Sequence, residues 1–492
     1  VEKSGGGVAV LADALRLGGV TRVVGVTRVA RYLAGAGLLL LLVQAALLLT
    51  RDPCVGVADN LDFWRVADPA GIEVPPQPRQ GYYVVCSYRQ GEADLGAFFS
   101  SPALLAWTAR HLGWGLGTPA GQFDLRQLGL LYGALVAAVL AGALALGLCA
   151  TRVFLLAWVL ADSGFLLFFN SLYADPALLL GLLGAVCLLP FAGFGEPRGE
   201  SAAARGGVLV LLLLSAALAG FSKMQYSPFP TLLLAACVLT LACEREWPSP
   251  ARLGFLAALA LVAIAAPWHF FLGSAPRFPE ANSYNAVYGG IARVASAPAV
   301  ALAALGVPEE YRSRPTKDYF AARIGPDDPV LPSLRQLSRV RLAGLYLRDP
   351  GATWRTAMAI AGELWKTGTN SRGNYTRVES GRRRRVYESP LQFSVWRGRC
   401  LGWLPPGAAW IFLGAVAGSL VYRGLCGLWN TQDTVGLFLL LWLLSQAAVA
   451  VLGEGFVNLH QHLLGARFAF DLLLVLVLER GATRLTRPGR WW

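Results

Sequence analysis

The chain has 492 residues, of which 55% are hydrophobic and only 15% charged, against roughly 25% charged in a soluble domain. Mean hydropathy is +0.49, and apolar residues gather in runs such as 38–49, 208–214 and 472–478. With flanking Ala, Val and Gly, these approach the about 17–25 residues that a bilayer-spanning helix needs, which excludes a string of soluble domains.

In chain order, residues 8–32 read as a basic amphipathic helix lying on the cytoplasmic leaflet, with no signal peptide ahead of it. A first span is expected over about 33–50, then an external loop, 51–126. Within that loop, 98–113 (Phe98, Phe99, Leu104, Leu105, Trp107, Leu112) has the pattern of an interfacial amphipathic helix. Further spans are expected near 127–149, 152–169, 175–194, 207–221, 229–243 and 252–274, with a Gly/Ala/Arg linker at 195–206. A second large loop, 275–405, carries Tyr311, Tyr319, Tyr346, Trp354, Trp365 and Tyr375, with helical periodicity over 333–366. Its run 382–385 is four arginines, read as a solvated cluster. Spans near 407–424, 434–452 and 464–480 close the count at about ten. The division is then 1–32 cytoplasmic, 33–274 membrane domain, 275–405 external domain, 406–480 terminal spans and 481–492 cytoplasmic tail.

Charge placement orients this arrangement. The short segments on one side carry Lys3, Arg16, Arg22, Arg28, Arg31, Arg152, Arg198, Arg205, Arg245, Arg252, Arg423, Arg480, Arg484, Arg487 and Arg490. The short loops on the other carry Lys223, with Arg467 at a helix edge. This positive-inside asymmetry, with an even span count, puts both termini in the cytoplasm of an inner or plasma membrane protein. The eight cysteines show no metal or haem spacing. Cys54 and Cys86 share the first external loop, where an oxidising compartment would let them pair.

Polar residues that suit chemistry collect on the external side. The first loop begins Ala58-Asp59-Asn60-Leu61-Asp62-Phe63-Trp64-Arg65. Asp62 and Arg65 are three apart and would share a helix face. The pattern suits either a carboxylate base oriented by a cation or a surface ion pair with an Asp helix cap. Tyr173-Ala174-Asp175-Pro176 opens a span, with Asp175 equally suited to capping it. Ser222-Lys223-Met224-Gln225-Tyr226 sets a lysine close to a tyrosine. Glu454, Asn458, His460, Gln461, His462 and Arg467 fill the last external loop, and Asp471 lies about one turn deeper. Ionisable groups at membrane depth are costly and so suggest function. Together these cations make a rim suited to holding a phosphate at headgroup level. His460 and His462, two apart, would face different sides of a helix, which argues against a two-His metal site.

These features resemble the GT-C superfamily of membrane glycosyltransferases that use polyprenyl-phosphate sugars. Asp62-Phe63-Trp64-Arg65 looks like the Asp-x-x-Arg form of lipid-dependent aminoarabinose transferases. Asp59-Asn60-x-Asp62-Phe63-x-Arg65, with His462-Leu463-Leu464-Gly465-Ala466-Arg467 and Asp471-Leu472-Leu473, looks like the WsfD-type hexose or rhamnosyl transferases, although Leu61 stands where that pattern has Gly. The resemblance implies an all-α, GT-C-like enzyme of the cell-envelope glycan kind, taking an undecaprenyl-type donor and inverting at the sugar. It makes Asp62 the base with Asp59 as competitor. Arg65, Lys223, His460, His462 and Arg467 would bind the donor phosphate, with Tyr173, Asp175, Tyr226, Glu454 and Asp471 in support. The expected partners are a polyprenyl-phosphate-linked sugar, a glycan or glycolipid acceptor and the bilayer, and no nucleic acid; the scheme requires no cofactor and leaves a divalent metal undecided. A transporter or lipid-linked glycan flippase is the alternative, and predicts ionisable groups at the bilayer midplane with broken helices in paired positions.

Overall fold

A computed structural model of the chain describes residues 20–59, 62–74, 83–96, 99–113, 118–192, 202–244, 249–273, 277–314, 316–319, 321–325, 327–366, 373–377 and 392–485. The expected amphipathic stretch before residue 20, residues 195–201 of the expected linker, Phe98 and the arginine run 382–385 lie outside these residues. The protein is a polytopic α-helical membrane protein, but the expectation of ten spans is wrong. Among the described residues six helices are long and apolar enough to cross a bilayer: Tyr32–Leu49, Leu125–Ala145, Met224–Ala242, Pro250–Leu272, Ala408–Leu425 and Thr431–Glu454. A seventh arises only if the bent pair Ala150–Leu160 and Ser163–Phe169 counts as one span.

Each lost span has a physical cause. Expected span 152–169 is broken by 70°. At the break, Asp162 accepts from the Gly164 amide at 2.7 Å and the Ser394 amide at 2.7 Å, so it starts a new helix instead of continuing the old one. Expected spans 175–194 and 207–221 reduce to the shorter apolar helices Asp175–Phe191 and Gly206–Gly220. Expected span 464–480 lies in the helix Leu464–Leu485, which contains Arg467, Asp471, Glu479 and Arg480. Those charges face protein rather than lipid, as membrane depth demands. Glu479 pairs with Arg152 at 2.7 Å, Arg480 with Asp433 at 2.6 Å and Asp471 with Arg397. With six or seven spans, parity no longer fixes where the termini lie.

The centre of the bundle is the helix Asp175–Leu188, buried at every position. It is apolar nearly all round, as a helix surrounded by other helices should be. Helix Thr431–Glu454 is set by a capping box in which Asn430 and Asp433 satisfy each other's backbone amides. It ends at Gly455, with φ of 64°. A Cβ there would lie 2.5 Å from the Gly290 Cα, so a glycine is what lets the π-helix Asn285–Ile291 pack against the helix end.

The first loop folds over the bundle as a three-stranded antiparallel sheet, β1 (Ile72–Glu73), β2 (Ser87–Gln90) and β3 (Gln122–Asp124), in that spatial order. Strand β3 runs straight into helix Leu125–Ala145, which Asp124 caps at the Arg126 amide, 2.9 Å. Helix Ser101–Leu112 begins at Ser100, whose side chain accepts from the Ala103 amide, and stops at left-handed Gly113. The second loop supplies helices Arg339–Arg348 and Pro350–Trp365, capped by Ser338 and Asp349. It is fastened to the bundle where Trp410 Nε1 donates to the Ala357 carbonyl at 2.9 Å and Arg339 to the Leu452 carbonyl at 2.9 Å.

Candidate functional site

The stretch leading to Asp62 is held from four directions. A disulfide joins Cys54 to Cys86. The Asn170 amide donates to the Val55 carbonyl at 2.8 Å. Gly56 exchanges hydrogen bonds with Asn374, at 3.0 Å through its own amide and 2.8 Å through its carbonyl. The Tyr173 hydroxyl donates to the Ala58 carbonyl at 3.0 Å, and its ring meets Phe63 edge-on at 4.8 Å. A Cβ on Gly56 would lie 2.0 Å from the Asn170 carbonyl oxygen. Gly56→Val is therefore expected to cost more than the about 1–3 kcal/mol of ordinary overpacking, seen as a lower melting temperature in detergent; an unchanged one would show that the two segments are not so closely apposed.

The two acidic residues of the motif separate at this point. Asp59 Oδ1 accepts from the amides of Asp62 and Phe63, at 3.0 and 3.2 Å. It braces the turn that leads into the short helix Trp64–Ala67. Asp62 instead faces a cavity of about 700 Å³, with the Arg65 guanidinium 3.5 Å from its carboxylate.

That cavity is walled by segments from four parts of the chain. The first loop contributes Asp62, Trp64, Arg65, Asp68 and Asp94; the short turns contribute Tyr173, Asp175, Lys223 and Gln225; the last helices contribute Glu454 and His462; the second loop contributes Asn282 and Arg339. Val66, Pro69, Met224, Pro228, Phe270, Val449 and Ala450 make the rest apolar. Glu454 meets His462 Nε2 at 2.9 Å, and His462 Nδ1 lies 3.1 Å from Gln225 Oε1. Gln225 in turn donates to the His462 carbonyl at 2.6 Å, so both ring nitrogens face oxygens and the ring is fixed in place. Lys223 Nζ sits 6.0 Å from the Tyr226 ring centre, with no ion pair recorded among the described residues. Burial pulls the Arg339 guanidinium below its ordinary value, against the field of Glu454. The cavity thus combines five carboxylates, those of Asp62, Asp68, Asp94, Asp175 and Glu454, with the cations of Arg65, Lys223 and Arg339, the His462 ring and apolar walls.

Asp62, Arg65, Lys223, His462, Tyr173, Asp175 and Glu454 are brought together there, and Tyr226 stands behind the wall with its hydroxyl on Asp175. His460, Arg467 and Asp471 are not. They belong to an internal network in which His460 Nδ1 lies 3.1 Å from Glu363 and its ring 2.8 Å from the Arg467 guanidinium, while Asp471 pairs with Arg397. Asp175 does not cap its helix either: no side-chain cap bond is present at that end. Arg339, Asn282, Asp68 and Asp94 were missed, because nothing in their local pattern ties them to residues hundreds of positions away. Among the described residues no group of three His, Cys, Asp or Glu side chains is arranged to hold a metal ion.

Burial, with the neighbouring Arg467 charge, lowers the His460 pKa from 6.5 to about 4. Burial raises the Glu363 carboxyl, but His460 and Lys366 outweigh it and hold it below the ordinary range. For His460 the unfolded chain takes up a proton between pH 6.5 and about 4 while the folded chain does not. Its contribution is therefore complete above pH 6.5 and is lost on acidification through that window. His460→Gln should flatten that part of the stability curve; an unaltered curve would show that His460 does not titrate this way.

The sequence profile described as "YfdI N-terminal transmembrane domain" matches residues 27–488. The chain belongs to the YfdI N-terminal transmembrane domain family. No curated protein matches it significantly. Among solved structures, the archaeal oligosaccharyltransferase AglB from Archaeoglobus fulgidus, in complex with an inhibitory peptide and a dolichol-phosphate, aligns at 14% identity with a TM-score of 0.40. The alignment covers 93% of this chain and 52% of that one, so this YfdI-family chain spans about half its length. At that distance the likeness decides nothing about this chain. The matching family is YfdI's rather than the WsfD-type group that the short motifs resemble.

Proposed function

We propose that this YfdI-family protein is a GT-C-type glycosyltransferase that moves a sugar from a polyprenyl-phosphate donor to a glycan or glycolipid hydroxyl on the extracytoplasmic face. The observation that carries the reading is that Asp62, Arg65, Lys223 and His462, drawn from three separate segments, share the walls of one partly apolar cavity. A carboxylate beside fixed cations is what transfer from a lipid phosphate requires. Asp62 takes the proton of the acceptor hydroxyl; the oxygen attacks the anomeric carbon in line; the bond from that carbon to the phosphate oxygen breaks. The polyprenyl phosphate leaves as an anion, so Lys223, Arg65 and His462 stabilise it where a protonated acid would otherwise be needed. Arg65 has a second role in holding Asp62. The apolar walls take the first isoprene units, and the cavity's own residues need no metal for these steps.

Orientation rests on charge alone, through the excess of arginine in the short segments assigned to the cytoplasm. Hexose or rhamnose as the sugar, and an undecaprenyl chain as the tail, are the finer form of the proposal suggested by the motifs. A transporter is disfavoured because the charges along the helix Leu464–Leu485 are tied up within the protein, Glu479 with Arg152, Asp471 with Arg397 and Arg480 with Asp433. The test is transfer by the purified chain in lipid, with polyprenyl-phosphate glucose, galactose, mannose and rhamnose and a glycolipid acceptor. At least one donor should yield free polyprenyl phosphate and a product of opposite anomeric configuration. A retained configuration would exclude direct attack, and transfer from none of them would remove the proposal.

A further inference from the structure

Asp175 opens helix Asp175–Leu188 with none of its surface exposed. The Tyr226 hydroxyl donates to its Oδ1, which fixes the carboxylate. Its other oxygen, Oδ2, is buried and has no hydrogen-bond partner, although the residue lines the cavity. A buried carboxylate oxygen without a donor is costly, and native structures leave few such atoms unexplained. A carboxylate can only accept, so whatever completes it must bring an O–H or N–H. A phosphate is the wrong partner, since it carries the same charge. A sugar ring offers hydroxyls in directions that differ between epimers.

We propose that Asp175 Oδ2, held in place by Tyr226, accepts a hydrogen bond from a ring hydroxyl of the donor sugar and thereby selects which sugar the cavity takes. This rests on the transfer reading of the same cavity. A sugar whose hydroxyl points elsewhere leaves the oxygen unpaired, the situation in which buried polar groups discriminate most strongly. Asp175→Asn keeps the size of the side chain and an oxygen for the Tyr226 hydroxyl, but replaces the waiting acceptor with an N–H donor.

The test compares dissociation constants for a short-chain polyprenyl phosphate, bare and carrying glucose, galactose, mannose or rhamnose, read through the fluorescence of tryptophan (Trp64 lines the cavity). The wild type should bind at least one sugar-bearing lipid about ten- to a hundred-fold tighter than the bare lipid phosphate, the range expected for a hydrogen bond to a charged group. Asp175→Asn should lose that margin while binding the bare lipid at least as tightly as the wild type, since a negative charge leaves the wall of the phosphate's cavity. If that variant does not fold, Tyr226→Phe, which frees the carboxylate to turn, should shrink the margin in the same way. Equal weakening of bare and sugar-bearing lipids would overturn the subsite and leave the transfer reading standing. Binding of no lipid phosphate by the wild type would overturn both.

Discussion

Asp62→Asn should lower sugar transfer by about 10²- to 10⁴-fold, the usual contribution of a general base, with the fold intact. The Asp62 side chain is 29% exposed and its ion pair with Arg65 is long, at 3.5 Å. Such pairs contribute about 0–1 kcal/mol, so melting should barely move. The loss belongs to chemistry: an amide cannot take the acceptor's proton. Asp59→Asn is the matched control, because the Asp59 oxygen serves the amides of Asp62 and Phe63, and the Asn side-chain oxygen can accept the same two hydrogen bonds. That variant should transfer sugar at close to the wild-type rate. Kinetics on the two variants, with melting curves for each, separate the roles. If Asp62→Asn transfers normally, Asp62 is not the base.

Asp471→Asn should destabilise the protein by about 3–5 kcal/mol, the loss seen when one partner of a buried ion pair is removed. Asp471 and Arg397 are 3% and 2% exposed at their side chains. Arg397 also donates to the Lys366 carbonyl at 2.8 Å, so it cannot swing out to water when its partner is neutralised. The pair joins the second loop to the helix Leu464–Leu485, and breaking it should loosen that loop from the bundle. The double variant Asp471→Leu with Arg397→Met should recover much of the stability, since an apolar pair of similar volume avoids the stranded charge. Melting temperature and yield in detergent measure both. A stable Asp471→Asn protein would show that the pair is not buried as described.

The membrane class could be read from the chain because apolar runs of bilayer length have no other use. The span count could not. Reading window by window, an apolar run such as 464–480 looks like a span, and its charges are seen without the partners that make them tolerable. Arg152 and Glu479 are 327 positions apart, and only the folded chain shows that each is there for the other. The 70° break escaped for a similar reason: Asp162 reads as one polar residue in an apolar stretch until Ser394 is seen on its carboxylate.

The site was legible in part. The first-loop acidic motif and the Lys223 turn were visible because polar residues at span ends stand out against apolar surroundings. Spacing treats Asp59 and Asp62 alike, however, and only the backbone hydrogen bonds reveal that Asp59 braces the turn. His460 and Arg467 sit close in sequence to His462, yet the helical turn Leu459–His462 sends His460 to Glu363, and Arg467, on the next helix, meets His460 there. Arg339 arrives from that loop and carries no local signature of its role.

The measurement that bears most directly on the central claim is a structure of the protein in lipid with an unreactive phosphonate analogue of a polyprenyl-phosphate sugar. The account predicts the phosphonate against Lys223, Arg65 and His462, the anomeric carbon turned toward Asp62 and the first isoprene units along the apolar wall formed by Met224 and Phe270. An analogue bound elsewhere, or bound in this cavity with its anomeric carbon turned away from Asp62, would contradict it.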